Sequence, residues 1–275
     1  MTVTLPSIAI LGTGSMGGAI LSGLVQPHVV VTGGIRVTNR STAKAEALAS
    51  DRVQSFATDT DAAANRAAVA GAKIVLIGVK PAMVADLLTE IADALEPDAI
   101  VVSVAAGVTI ETMESLVTRA VLRAMPNTPA VVGRAVTGLA AGTRSSAADL
   151  DVVTEMFETV GVVLVVPEGR IDALSTISGS GPAYVFYLIE QLTRTAVGMG
   201  FTPQEAALMV DTTFLGAAEL LAASDVGPAE LRRRVTSPKG TTERAIAELE
   251  KADLGATFDR ATAAALARAA EIAAN

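Results

Sequence analysis

The chain has 275 residues, enough for one large or two medium domains, and 51% of them are hydrophobic, so apolar surface for a core is ample. A formal net charge of −8 and only 3% aromatic residues argue against a nucleic acid or an anionic membrane as partner, because neither a basic patch nor base-stacking platforms are present. Cysteine is absent and His28 is the single histidine, which excludes disulfides, thiol catalysis and thiolate or His-cluster metal sites, so no metal is expected.

Ser7-Ile8-Ala9-Ile10-Leu11 reads as a buried strand, Gly12-Thr13-Gly14-Ser15-Met16-Gly17 as a turn, and Gly18 to Leu24 as an apolar helix. Each glycine of this GxGxxG string has a physical task in dinucleotide binding. Gly12 permits the tight turn, Gly14 lacks the Cβ that would keep a pyrophosphate off the backbone, and Gly17 lets the helix pack closely on the sheet. The helix N-terminus then offers unpaired N–H groups and partial positive charge to phosphates. The second strand, Gly34 to Thr38, ends at Asn39-Arg40-Ser41-Thr42. An NAD enzyme usually carries an acid here for the ribose hydroxyls. The amide, guanidinium and hydroxyls of Asn39, Arg40 and Ser41 instead suit a 2′-phosphate, so NADPH is expected, with NADH as the alternative. The same residues also serve as caps: Asn39 and Ser41 can close a helix beginning near Thr42.

Strand-like runs at 7–11, 34–38, 73–79, 99–104, 120–124, 135–140 and 161–166 alternate with helical stretches such as 82–95 and 147–159. This rhythm predicts βαβ units and a mainly parallel sheet, with ligands beyond the carboxyl ends of the strands. Three such ends carry small or Pro-stiffened residues: Gly78-Val79 into Lys80-Pro81, Val104 into Ala105-Ala106-Gly107, and Ala124 into Met125-Pro126-Asn127-Thr128-Pro129. After Pro167 the pattern is helix upon helix, at 183–199, 203–223, 241–252 and 257–273. The fold class is therefore α/β, a Rossmann-type doubly wound sheet over residues 1–166 followed by an all-α domain over 167–275. Helical faces this apolar predict a homodimer or larger homo-oligomer. The N-terminus shows no basic region with an apolar core and cleavage site, and no apolar run reaches about 18 residues, so a soluble, cytoplasmic protein is expected.

Two segments of the helical half stand out. In Ser178-Gly179-Ser180-Gly181-Pro182-Ala183-Tyr184 the glycines and hydroxyls break the helical ladder, and Pro182 suits the first turn of a new helix. In Arg234-Val235-Thr236-Ser237-Pro238-Lys239-Gly240-Thr241-Thr242-Glu243, backbone N–H groups at a helix start can cradle a carboxylate. The competing reading is a simple cap, with Thr241 or Thr242 closing helix 243–252.

Taken in order, Gly12 to Gly17, Val79-Lys80-Pro81, Ser103 to Gly107, Met125 to Pro129, Asp172 to Tyr184 and Ser237 to Thr242 make the chain resemble pyrroline-5-carboxylate reductase, from Ile8 to about Leu249. The SGSGPAY and SP-x-GTT strings are specific to that family, whereas GxGxxG alone is not. Lys239 departs from the pattern, since the family usually has a second glycine there. The resemblance implies NAD(P)H-dependent reduction of a cyclic imine to L-proline. It implies cofactor contacts at Gly12 to Gly17, Asn65, Gly78, Val79, Lys80, Pro81, Val104, Ala105 and Ala106. Substrate contacts are implied at Glu168, Arg234, Ser237, Thr241 and Thr242, next to a partner subunit's helical domain.

Hydride attack on a protonated imine needs no nucleophile, metal or strong base; it needs orientation. The expectation is that N–H groups of Gly240 to Thr242 and the Ser237 hydroxyl hold the substrate carboxylate. Thr242 hydrogen-bonds the ring nitrogen, positioning it more than donating a proton. Two other readings compete. A 3-hydroxyacid dehydrogenase would need an acid-base Lys or His in the helical half, where Lys239 and Lys251 are the only lysines and neither fits. A nucleotide sensor would bind NADPH and turn over no imine.

Overall fold

The computed structural model describes residues 2–273, which divide into two compact units. One runs up to Ser180 and takes in the chain from Ala265; the other is Gly181–Ala264. The first thus continues beyond position 166 to include 167–180. Residues 274 and 275 of the expected helical domain lie outside the described residues.

The first unit follows the order β1 (Val3–Leu5), β2 (Ile8–Leu11), α1 (Ser15–Leu24), β3 (Val29–Val31), β4 (Ile35–Asn39), α2 (Thr42–Leu48), β5 (Val53–Ala57), α3 (Ala64–Val69), β6 (Ile74–Ile77) and α4 (Val84–Ile91). It continues through β7 (Ile100–Ser103), α5 (Ile110–Leu116), β8 (Ala120–Met125), β9 (Ala135–Ala141), α6 (Ala147–Glu158), β10 (Gly161–Val165) and α7 (Ile171–Leu174). Eight strands form one sheet in the order β10-β9-β8-β7-β6-β2-β4-β5, parallel except where β8 meets β9. From β5 to β8 this is the strand order of a doubly wound sheet, and the winding reverses between β2 and β6. Ile8 pairs in register with both Ile35 and Ile74, and Leu11 with both Thr38 and Ile77, so the carboxyl ends of the central strands lie in one row.

Strands buried on both faces read as unbroken apolar runs. Ile8, Ile10, Leu76 and Val102 join one core cluster with Ile20 and Leu24 of α1 and Phe157 of α6. Ala9, Leu11, Ile77 and Val101 join the opposite cluster with Leu88 and Ile91 of α4 and Met113 of α5. All seven expected strands are present. Three further strands carry weaker patterns: β5 is an edge strand of mixed polarity, and β1 and β3 are three-residue strands that pair only with each other.

The second unit contains α8 (Gly181–Gly198), α9 (Pro203–Ala222), α10 (Pro228–Arg234), α11 (Thr241–Lys251) and part of α12 (Leu254–Ala273). No strand follows Val165 among the described residues. Thr202 and Glu205 form a reciprocal capping box at the start of α9, with Pro203 in its first turn. The α-helical ladder is interrupted where expected, and a separate helix, α8, starts at Gly181 with Pro182 in its first turn, although the interruption is itself a helical turn. Residues 175–179 make a π-turn, with Ser180 N donating to Ser175 O (2.9 Å), and the chain passes through Ser180 in right-handed conformation directly into α8. Hydroxyls within the turn bond back to carbonyls before it: Thr176 Oγ1 donates to Ala173 O (2.8 Å) and Ser178 Oγ to Leu174 O (3.2 Å).

Candidate functional site

At the end of β2 the backbone of Gly12 turns into the left-handed region (φ 90°). The N–H groups of Gly12 and Thr13 both donate to Thr38 O (3.2 Å each), fixing the turn to the end of β4. A Cβ on Gly17 would stand 2.6 Å from Gly12 O, and one on Gly78 2.5 Å from the same oxygen, so α1 and β6 close on the turn through their missing side chains. Gly14 differs: nothing lies within 4 Å of its Cβ position. α1 begins at that open place with no side-chain cap and no acid in its first turn, leaving its first N–H groups and positive end for an anion.

Beside this cradle β6 runs through Gly78 and Val79 to exposed Lys80 and a 3₁₀ turn, Pro81–Met83. β7 runs into Val104, whose N–H donates to Ile77 O (3.1 Å), then Ala105, held by the buried Ser103 hydroxyl (3.1 Å), and exposed Ala106. The structure therefore gathers Gly12–Gly17, Asn39–Ser41, Gly78–Pro81 and Val104–Ala106 along one sheet edge. Asn39 is only 6% exposed and its Nδ2 has no hydrogen-bond partner among the described residues. The expected caps of α2 are corrected here. Neither Asn39 nor Ser41 closes that helix; a carboxylate does, Asp59 accepting from Thr42 N (3.2 Å) and Thr42 Oγ1 (3.0 Å). Asn65, in the first turn of α3, gives its amide to Glu90 (3.2 Å). A nicotinamide dinucleotide suits this edge, because the open space at Gly14, the uncapped α1 and the orphaned amide of Asn39 are what its phosphates and ribose would use.

Sequence reasoning named Glu168 but missed its partner, a buried arginine that gathers two carboxylates. Arg123, 2% exposed in β8, donates to Asp172 (Nη2, 2.6 Å) and lies 3.5 Å from Glu168. Glu168 in turn accepts from Ile110 N (2.7 Å) at the start of α5, so its carboxylate joins β8 to the helix that follows the Val104–Ala106 loop. Buried Asn127 clamps the next segment, donating to Ser178 O (2.8 Å) and accepting from Val136 N (2.9 Å). A charge inside the apolar run Ala120 to Ala124 was the available signal.

In the second unit the turn Ser237–Gly240 leads into α11, which starts at Thr241 as the expected helix 241–252 did and not at 243 as the cap reading had it, with Gly240 as N-cap and no side-chain cap. The cap expected from Thr241 or Thr242 is thus absent, and both side chains are exposed. Gly240 N–H is taken by Ser237 O (3.0 Å), so of the expected backbone donors those of Thr241 and Thr242 remain for an anion, beside the Ser237 hydroxyl. Lys239, standing where the family usually has glycine, adopts φ 63°, a conformation that favours glycine. Its N–H donates to Glu243 (3.0 Å). Arg234 is held on its own helix by Glu230 (2.9 Å). Hydrogen bonds from Arg233 and then Arg234 bring the Glu230 carboxyl down to about 2. A groove of about 950 Å³ also lies in this unit, lined mainly by apolar side chains including Phe186, Phe214 and Leu215.

A doubly wound sheet with an anion cradle where its winding reverses, followed by a helical unit, defines a dinucleotide-dependent oxidoreductase. The pyrroline-5-carboxylate reductase of Pseudomonas aeruginosa is 37% identical over 271 residues, covering 98% of this chain and 97% of that protein. The chain belongs to the pyrroline-5-carboxylate reductase family. Family models agree: one described as pyrroline-5-carboxylate reductase dimerisation matches residues 168–272, and one described as NADP oxidoreductase, coenzyme F420-dependent, matches residues 7–107. The solved reductase of Coxiella burnetii superposes with a TM-score of 0.88 at 34% identity, covering 96% of this chain and 97% of that one. A Plasmodium falciparum enzyme solved with NADP bound shares the fold, with a TM-score of 0.81 at 24% identity over 97% and 98% of the two chains.

Proposed function

We propose that this chain reduces 1-pyrroline-5-carboxylate to L-proline with NADPH, NADH being the alternative donor, as the last step of proline biosynthesis. The observation that most supports this reading is the uncapped start of α1 over the open Gly14, at the switch point of the sheet. When bound, the nicotinamide supplies a hydride to the imine carbon. In this reading the N–H groups of Ser15, Met16 and Gly17 hold the pyrophosphate. Asn39, Arg40 and Ser41 serve the adenosine ribose, with Asn65 alongside. Gly78 to Pro81 and Val104 to Ala106 flank the nicotinamide ring, and Lys80 orients the cofactor.

The substrate carboxylate is held by the Ser237 hydroxyl and the N–H groups of Thr241 and Thr242, while the Thr242 hydroxyl hydrogen-bonds the ring nitrogen. The imine arrives protonated, so the chain's contribution is orientation, worth about 7–11 kcal/mol of barrier. Glu168 and Arg234 face other residues of their own units, and their part in substrate binding is indirect. The helical unit pairs with a second copy, giving a homodimer or larger assembly: Phe186 and Leu215 are 66% and 60% exposed, and only Ala196, Ala206 and Val210 are buried there. Among the described residues no helix is long and apolar enough to cross a membrane. A cytoplasmic location belongs to the same reading, on composition alone.

The test follows absorbance at 340 nm with pyrroline-5-carboxylate and either cofactor. Imine-dependent oxidation, lost by about 100-fold in Thr242→Val, is the expected result. Nucleotide binding without any oxidation would turn the reading to a sensor.

A further inference from the structure

We propose that Asp59 sets the cofactor preference of this chain, as a fixed negative charge that opposes the 2′-phosphate of NADPH and keeps NADH usable. The inference rests on the cofactor position proposed above.

Doubly wound enzymes receive the adenosine ribose at the end of the strand after the Gly-rich helix. Here that place is Asn39-Arg40, and no acid stands in it. The loop after β5 runs alongside: Thr58 N donates to Asn39 O (2.9 Å) and Asp59 N to Arg40 O (3.0 Å). That pairing brings a carboxylate from 17 residues beyond Thr42 to the proposed ribose end of the site. Both Asp59 oxygens are engaged by Thr42, through its N–H and its hydroxyl, so the charge is held in place and not free to swing away. Neither Asp59 nor Arg40 forms an ion pair among the described residues, so neither charge is neutralised by a protein partner.

Three groups therefore meet the ribose with different preferences. The buried, unpartnered Nδ2 of Asn39 is a neutral donor that serves a ribose oxygen in either cofactor. Arg40 attracts a 2′-phosphate, and Asp59 repels it. A 2′-hydroxyl carries no charge and is indifferent to both Coulomb effects. The chemistry predicts a narrow gap between the two cofactors, where Arg40 acting alone would give a wide one.

The experiment is calorimetric titration of the full chain with 2′,5′-ADP and with 5′-AMP, so that binding is read without turnover. Asp59→Asn keeps the cap, because its Oδ1 accepts from Thr42 N and its Nδ2 donates to Thr42 Oγ1. The ratio of 2′,5′-ADP to 5′-AMP affinity is expected to rise about tenfold in Asp59→Asn, as for one charge removed beside a dianion near the surface. Arg40→Gln should lower the ratio by a similar factor, and Asp59→Glu, which keeps the charge, should not raise it. The gain should shrink in 1 M salt, where surface charges are screened within about 3 Å. An unchanged or lower ratio in Asp59→Asn, with 5′-AMP still bound, overturns the role of Asp59. Failure of the unsubstituted chain to bind either nucleotide overturns the cofactor position itself.

Discussion

Gly14 and Gly17 sit in the same string yet answer to different demands. An alanine at Gly14 meets nothing within 4 Å and has ordinary backbone angles (φ −70°), so Gly14→Ala should unfold within about 0.5 kcal/mol of the parent chain. In the proposed cofactor position its methyl group would meet the phosphates, and NADPH affinity should fall at least about tenfold by fluorescence titration. Gly17→Ala drives a methyl group to 2.6 Å from Gly12 O, and urea melts should show a loss of about 1–3 kcal/mol along with the loss of binding. Arg123 is a residue whose removal should cost stability through its partners. Arg123→Met strands two carboxylates, each about one-third exposed, and should cost about 3 kcal/mol in urea melts. Arg123→Lys should recover only part, because a single ammonium cannot reach Asp172 and Glu168 in the same fork. The cradle was legible in the sequence because its spacing states backbone requirements directly. Asp59 and Asp172 were not, because strand pairing carries each of them to partners far away in the chain.

Among the elements, the buried parallel strands were the most legible, since a run such as Ile74-Val75-Leu76-Ile77 satisfies both faces of the sheet at once. β5 was not, because Gln54 and Ser55 at the sheet edge blur the pattern. At 178–184 the interruption of the α-ladder was legible from its glycines, serines and Pro182, but its π geometry over 175–179 was not, because only the hydrogen bonds show it. α10 makes a prediction of its own. Two guanidiniums hold Glu230 down to about 2, against 4.5 for the free group. The unfolded chain therefore takes up the proton first. The pairs' contribution is complete above about pH 4.5 and drains away as pH falls toward 2. Being on the surface, it is small. Carboxyl NMR of Glu230 should show the depressed midpoint, and Arg233→Gln should move it upward.

For the whole molecule, the helical unit has little core of its own. Its melting temperature should rise with protein concentration, and Phe186→Glu should give a smaller species by gel filtration with reduced helix content. The arrangement of the first unit has a consequence for how the protein is made. The strand ends of the proposed nucleotide cradle, and α6 whose Phe157 shares a core with α1, are all present once Val165 has left the ribosome, before Ser237–Thr242 exists. Cellular NADPH can therefore act as a folding ligand on a nascent chain that has no partner and no substrate turn, drawing the sheet toward its native state by mass action. The nucleotide would be the first guest of this enzyme, and the second copy a later one.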